Sequence, residues 1–560
     1  MEEPLSGTAA APPTTRQWLG LIAVSLGVAL IVVDLTIVNV ILAPIIEDLK
    51  IDSAGAQWIQ ESYAISFAAL LLLTGRLSDV FGARKVFLVG LTMFALTSLL
   101  AAAAPDGGVL ILARFLQGVA AAAILPTSLA LVNATFTGRA RGQAFAVWGS
   151  TIGAAAALGP LLGGRLADLS WRWAFGINLQ LAALIVVGAL RYFDASPRSR
   201  TRVDGIGGAL SALGLGLLSF ALIEGRTYGW LETIEPLDIG AFTWSASPSP
   251  VFAALVVATA ALVLFWLRQA ALGKAEREPL MDVRLFSLRS FRNGNFVTLL
   301  VGVGEFGIIA VLPLWLQFAL GYSAFEAGLA LVALAAGSFF ASGAGFSMAA
   351  SVPAIQQVRM GLVLESAGLV LLGVIASTDT AWWLITCALF LYGVGVGFAT
   401  AQVTNIVLAD VPALSAGQAS GIQSAARELG SALGIAVLTT LFFTTLATDL
   451  EDRLAGLGLA GRDAGQLRNT VTESAGSAIP SLADDPRTAP VADAARAAMA
   501  RGLELASYTC AALLVLALAA TLFVQRGKAG TPGEAGAPGT SEGPLAPTAE
   551  PVSGGGAGEH

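Results

Sequence analysis

The chain is a succession of apolar runs, each long enough to cross a lipid bilayer. A helix needs about 20 residues to span roughly 30 Å of hydrocarbon. Runs of that length lie near 18–43, 57–75, 85–104, 108–131, 141–164, 173–191, 204–223, 251–268, 296–320, 326–350, 358–376, 380–408, 418–447 and 504–525, fourteen in all. Several contain Gly or Pro, which spanning helices tolerate because neighbouring helices satisfy the freed backbone groups. The expected fold is an all-α membrane protein with fourteen transmembrane helices.

Composition agrees. Only 12% of the 560 residues are charged and 56% are hydrophobic, whereas soluble domains carry about 25% charged residues. A large soluble enzyme, a nucleic-acid binder and a disordered scaffold are excluded. The net charge of −7 offers no basic surface for nucleic acid. Cys387 and Cys510 sit in apolar runs and are too few for a disulfide framework, and the one histidine is His560. Histidine-based catalysis and metal binding are thereby set aside, and no cofactor is implied. The acidic, Pro-containing N-terminus lacks the features of a cleaved signal peptide. The span that begins at Trp18 is expected to stay in the membrane.

An even number of spans puts both termini on one side. With the N-terminus inside, the cytoplasmic segments hold 19 Lys and Arg, the short external loops four and the long loop 448–503 six. The positive-inside tendency therefore predicts cytoplasmic termini in a multi-pass protein of the cell membrane. The chain also repeats itself at an offset of 275 residues. Gly142-Gln143-Ala144 matches Gly417-Gln418-Ala419, Ala157-Leu158-Gly159 matches Ala432-Leu433-Gly434, and Gly118-Val119 matches Gly393-Val394. This predicts two six-helix pseudo-repeat bundles and a two-helix insert, spans seven and eight, with a substrate site between the halves. The expected order is an N-tail (1–17), a first bundle (18–197), the insert (198–268), a cytoplasmic linker (269–294), a second bundle (295–526) containing the external loop 448–503, and a tail (527–560). The last, rich in Gly, Pro, Ser and Glu, is expected to be disordered.

The segment after span two reads Gly75-Arg76-Leu77-Ser78-Asp79-Val80-Phe81-Gly82-Ala83-Arg84-Lys85. It resembles the signature of the major facilitator superfamily, G-x-L-x-D-x-x-G-x-R/K-R/K, and fourteen spans place the resemblance in its drug:proton antiporter branch. Similar to that branch are also Asp34 to Asn39 in span one, Arg114-Phe115-Leu116-Gln117-Gly118 in span four and Gly149 to Gly164 in span five. Trp171 to Asn178 and Gly321 to Gly328 follow the same pattern. The resemblance implies alternating access driven by protons. It also implies a conformational latch at Gly75, Asp79, Gly82, Arg84 and Lys85, and a pivot at Gly149, Gly153, Gly159, Pro160, Gly163 and Gly164.

The residues themselves support such roles. Gly75 and Gly82 allow a tight turn, and Asp79, read as lying in an exposed loop, is placed to face Arg84 and a helix N-terminus of the other half. The glycines of span five present a face without side chains, and Pro160 bends it. Ionisable residues inside spans are costly and rarely decorative. At 1.5 Å per residue, Asp34 and Arg114 fall at similar depths in the outer half, so they are expected to pair. Protonating Asp34 would break that pair. Glu305, near the midplane, is a second candidate for proton coupling and for holding a cationic substrate. Glu365 is expected to snorkel toward the cytoplasmic face, and Arg427 and Glu428 to neutralise each other. Trp315, Gln317, Phe318, Asn405 and Gln423 are candidate cavity lining beside Glu305.

The expected partners are a small-molecule substrate, protons and membrane lipid, with no nucleic acid and a monomer as functional unit. The leading expectation is a proton-coupled exporter of lipophilic, cationic drugs or antibiotics. A dedicated exporter of one endogenous lipid or secondary metabolite and a transport-inactive ligand sensor remain alternatives. A membrane-embedded enzyme is disfavoured, since no paired catalytic carboxylates or internal histidine are present.

Overall fold

A computed structural model describes residues 13–523, apart from 52, 168, 195–201, 240–241, 276, 350 and 460. Most of the N-tail, the whole C-tail and the expected boundary near 197 lie outside the described residues. The apolar runs fold as α1 (Thr15–Leu49), α2 (Ser53–Phe81), α3 (Ala83–Ala102), α4 (Gly107–Thr135), α5 (Gly138–Ala167) and α6 (Arg172–Tyr192). Then come α7 (Gly205–Tyr228), α8 (Pro250–Lys274), α9 (Arg289–Leu314), α10 (Ala324–Met348), α11 (Ala354–Ile375), α12 (Trp382–Val407) and α13 (Ala416–Gly456). Two short helices, α14 (Arg462–Glu473) and α15 (Ile479–Asp484), precede α16 (Ala489–Ala520). Among the described residues, 13 helices are long and apolar enough to cross a membrane, and α5, with 30 residues, is a fourteenth long helix.

Local chemistry sets the helix ends. Thr14 and Gln17 form a capping box at α1, and Ser323 and Glu326 do so at α10. Asp106 caps α4 by accepting from the Val109 amide at 2.9 Å. Pro313 interrupts the hydrogen-bond ladder of α9, which ends in a π turn at Trp315–Ala319.

The 275-residue repeat reappears in the packing. Gly118 brings α4 onto α2, and its counterpart Gly393 brings α12 onto α10. Gly159 of α5 rests on α1, and Gly434 of α13 rests on α9. Between halves the pattern crosses over. Gly142 of α5 faces Asn405 of α12 and Ala349 at the end of α10, while Gly417 of α13 faces α2. Helices α1–α6 and α9–α13 with α16 are thus two equivalently wound six-helix bundles, joined through α5–α10 and α2–α13.

The insert lies outside both bundles. Gly208 and Gly216 of α7 pack beside Leu73 and Ala69 of α2, and Leu222 packs on Ala432 and Ala436 of α13. Its partner α8 exposes Val256, Val263, Leu264 and Leu267, as a lipid-facing helix does. Arg268 ties α8 to Asp204, beside the start of α7, at 2.7 Å. The connection from α7 to α8 holds a two-stranded hairpin, Leu237–Ile239 with Phe242–Trp244. Three-residue strands leave no readable period in the sequence.

The segment 448–503, expected as an external loop, is folded. α13 runs on to Gly456, and the helix expected within 488–503 is the first part of α16. Val471 and Ile479 are fully buried, and Gly476 sits against Met499 and Phe318.

Candidate functional site

Asp79 does not lie in an exposed loop. It belongs to the last turns of α2 and is 7% exposed. Its two carboxylate oxygens accept from the amides of Gly417 (2.7 Å) and Gln418 (2.8 Å), at the N-terminus of α13. Those amides have no partner within the helix, and the helix dipole favours an anion there. A Cβ at Gly75 would come within 2.6 Å of the Gly417 carbonyl and 2.9 Å of Gly421, so the two backbones touch. Gly82, with φ of 92°, turns the chain from α2 into α3. Arg84 donates to the Leu190 carbonyl at 2.7 Å, and the Lys85 ammonium lies 5.9 Å from the centre of the Phe81 ring.

The connection between α8 and α9 is strapped across this contact. Arg76 pairs with Glu278 at 2.7 Å, and the Asp282 amide donates to Gln418 at 3.0 Å. At the same end, Arg141 of α5 donates to Asn405 of α12 at 3.0 Å, and Gln143 to the Phe346 carbonyl at 3.2 Å. Asp79→Asn keeps the shape but removes the charge and turns an amide NH₂ toward an N–H donor. The contact should weaken by about 1–2 kcal/mol, roughly 5–30-fold in its population. A cysteine replacing the buried Ser420 should then be labelled faster from water than in the parent; an unchanged rate refutes the latch.

Along α5, Gly149 faces Ala401 of α12, Gly153 faces Ser338 of α10 and Gly159 faces Thr36 of α1. Gly163 is buried. Pro160 and Gly164 occupy helical positions, and their surroundings lie outside the described residues.

Asp34 and Arg114 meet in the first bundle, 0% and 1% exposed. Arg114 Nη1 donates to Asp34 Oδ2 and, at 3.0 Å, to Gln117. Asp34 Oδ1 accepts from Asn178 at 2.7 Å and from Gln117 at 3.4 Å, and both amides also donate to Ser98. Arg114 further holds α2. Its Nε donates to the Ile59 carbonyl at 3.1 Å, and its guanidinium lies 4.4 Å from the centre of the Tyr63 ring. Asp34 thus accepts from three side chains, Arg114, Asn178 and Gln117, and is the counter-ion of Arg114. Gln117 and Asn178 stand inside motifs legible in the sequence, Gln117 one helical turn from Arg114. Ser98 carried no signal.

A second cluster lies in the other bundle. Arg427 pairs with Glu305 at 3.1 Å, and Thr400 donates its hydroxyl to the other oxygen of Glu305. The ion pair of Arg427 is with Glu305 and not with adjacent Glu428, which points about 100° away but still interacts with the Arg427 charge. Glu365 does not snorkel either: it is fully buried. A void of about 10 Å³, bordered by Val301, Gly302 and Val403 as well as by Glu305, Thr400, Thr404, Gln423 and Arg427, has room for about one water.

Only Glu305 and Gln423 of the expected cavity lining border this void. Asn405 instead accepts from Arg141. Trp315, Gln317 and Phe318 lie on the π turn, where Trp315 is fully buried and Gln317 donates to the Pro313 carbonyl at 3.2 Å. Phe318 is beside Gly476 of the external segment. These three residues lie at the C-terminal end of α9, about 15 Å or more along the helix from Glu305.

The sequence profile of the Major Facilitator Superfamily matches residues 24–435. The chain is 34% identical to the puromycin resistance protein of Streptomyces alboniger over 80% of its own length and 86% of that protein. It is 31% identical to the methylenomycin A resistance protein of Bacillus subtilis, covering 74% of this chain and 86% of that protein. The probable actinorhodin transporter of Streptomyces coelicolor shares 32% identity, covering 79% and 75%. In fold the chain is similar to a human organic anion transporter, with a TM-score of 0.58 over 91% of this chain and all of that one, at 15% identity. A proton:xylose symporter superposes at 0.53, covering 83% and 96%, with 12% identity. The doubled bundles, the α2–α13 contact and these likenesses converge: the chain belongs to the Major Facilitator Superfamily and is a multi-pass membrane transport protein, not an enzyme.

Proposed function

We propose that the chain is a proton-coupled antiporter that exports lipophilic, cationic drugs or antibiotics across the cell membrane by alternating access, with both termini in the cytoplasm and a monomer as its functional unit. The names of its relatives, antibiotic resistance proteins, support export of drugs or antibiotics. The observation that carries the coupling is the buried Asp34–Arg114 pair. Arg114 grips α2 at Ile59 and Tyr63, and the same helix carries Asp79 some 24 Å further along. A proton on Asp34 removes the counter-ion of Arg114, which loosens the grip on α2 and biases the latch at its far end. Glu305 deepens the reading, because a cationic substrate competes with Arg427 for the same carboxylate.

The test is substrate movement in proteoliposomes under an imposed pH gradient, over a panel of cationic and neutral compounds. Accumulation that follows the gradient supports the reading, and flux that ignores pH overturns it. Glu305→Gln should weaken transport of cations more than of neutral compounds, by roughly tenfold for loss of a charge contact of about 1.4 kcal/mol. Equal losses for both classes would remove Glu305 from the substrate. The relative named as an actinorhodin transporter favours a second reading, export of one secondary metabolite, which a response to a single compound of the panel would reveal.

A further inference from the structure

Glu365 of α11 is fully buried, and neither carboxylate oxygen has a hydrogen-bond partner among the described residues. It lies against α12, where a Cβ at Gly395 would come within 2.6 Å of its Cγ. The titratable groups that face it are Glu305 from α9, Tyr392 from α12, Arg427 from α13 and Cys510 from α16. All four are already engaged, Glu305 with Arg427 and Thr400. Tyr392 donates to the carbonyls of Gly304 (3.4 Å) and Glu305 (3.3 Å), and Cys510 donates to that of Gly304 at 3.1 Å. Arg427 is paired with Glu305. Arg427 interacts with both glutamates and with Glu428 of its own helix, so one cation serves Glu305 and Glu365 as well as Glu428.

An ionised carboxylate without a hydrogen bond is costly in such a place, by several kcal/mol even after relaxation. With both glutamates ionised, the trio carries one net negative charge in the membrane interior. One bound proton makes it neutral. We infer that Glu305, Arg427 and Glu365 form a second proton-binding site, separate from Asp34–Arg114, with the proton held by Glu365 in this conformation. Release breaks the Glu365 O–H bond and passes the proton to water, leaving Arg427 to balance both carboxylates. Occupancy by the proton stands on the geometry alone; its use in transport rests on the antiport reading.

Infrared spectroscopy of the purified, substrate-free protein tests the first point. At neutral pH the carbonyl stretch of a protonated carboxyl without hydrogen bonds should be present. Glu365→Gln, nearly isosteric with the neutral acid, should remove it, while Asp34→Asn and the conservative Glu365→Asp should retain one. An unchanged band in Glu365→Gln overturns the site. Proteoliposomes loaded with a pH-sensitive dye test the second, with ethidium as probe. Glu365→Gln should lower the number of protons moved per ethidium and make uptake less sensitive to membrane potential. An unchanged ratio shows that the proton is held but not moved, which overturns its role in the cycle. A parent protein that moves ethidium without protons sinks the antiport reading, and the infrared result still decides the site.

Discussion

Asp34→Asn is expected to abolish concentrative transport driven by a pH gradient, down to the level of protein-free liposomes, while substrate binding and downhill exchange persist in part. Asn can keep one acceptor toward Asn178 and Gln117 and differs little in volume, so the packing of α1 is retained. What disappears is the group that takes up and loses a proton, together with the charge that holds Arg114. Arg114 is then permanently without its counter-ion, and its grip on Ile59 and Tyr63 no longer depends on pH. Counterflow without a gradient, measured beside uphill uptake in the same vesicles, separates the two effects. If the mutant still concentrates substrate on a pH gradient alone, the coupling assignment is wrong and Glu305 or Glu365 becomes the first candidate.

Arg114→Met should destabilise the fold more than Asp34→Asn, Asp79→Asn or Glu305→Gln. Asp34 is fully buried, and the mutation leaves its charge with only amide donors. Removing one partner of a buried ion pair typically costs about 3–5 kcal/mol, because the surviving charge stays out of water. The Ile59 carbonyl also loses the Arg114 N–H, which loosens α2 against α4. Thermal unfolding in detergent should rank the parent above the double mutant Asp34→Asn/Arg114→Met, and the double mutant above Arg114→Met. The double change removes both charges and leaves no orphan. A double mutant no more stable than Arg114→Met would mean that packing, not charge, dominates the site.

Much of this protein is written in one dimension. Hydropathy measured against a slab of fixed thickness determines how many helices cross it, and the runs of the sequence became the long helices. The 275-residue repeat determined which helices correspond, since Gly118 and Gly393, or Gly159 and Gly434, meet equivalent neighbours. Depth along a helix follows from counting residues, which is why the sequence alone matches Asp34 to Arg114. Azimuth does not follow from counting. Arg427 turned to Glu305 rather than to adjacent Glu428, and Glu365 turned inward rather than to the surface. Ser98 and Asn178 joined Asp34 from helices far away in the chain. In a span that is apolar on every side, nothing in the sequence marks which face a polar residue presents. Lipid defines only depth, so the direction is decided when neighbouring helices pack and each buried polar group must find a partner or do without one.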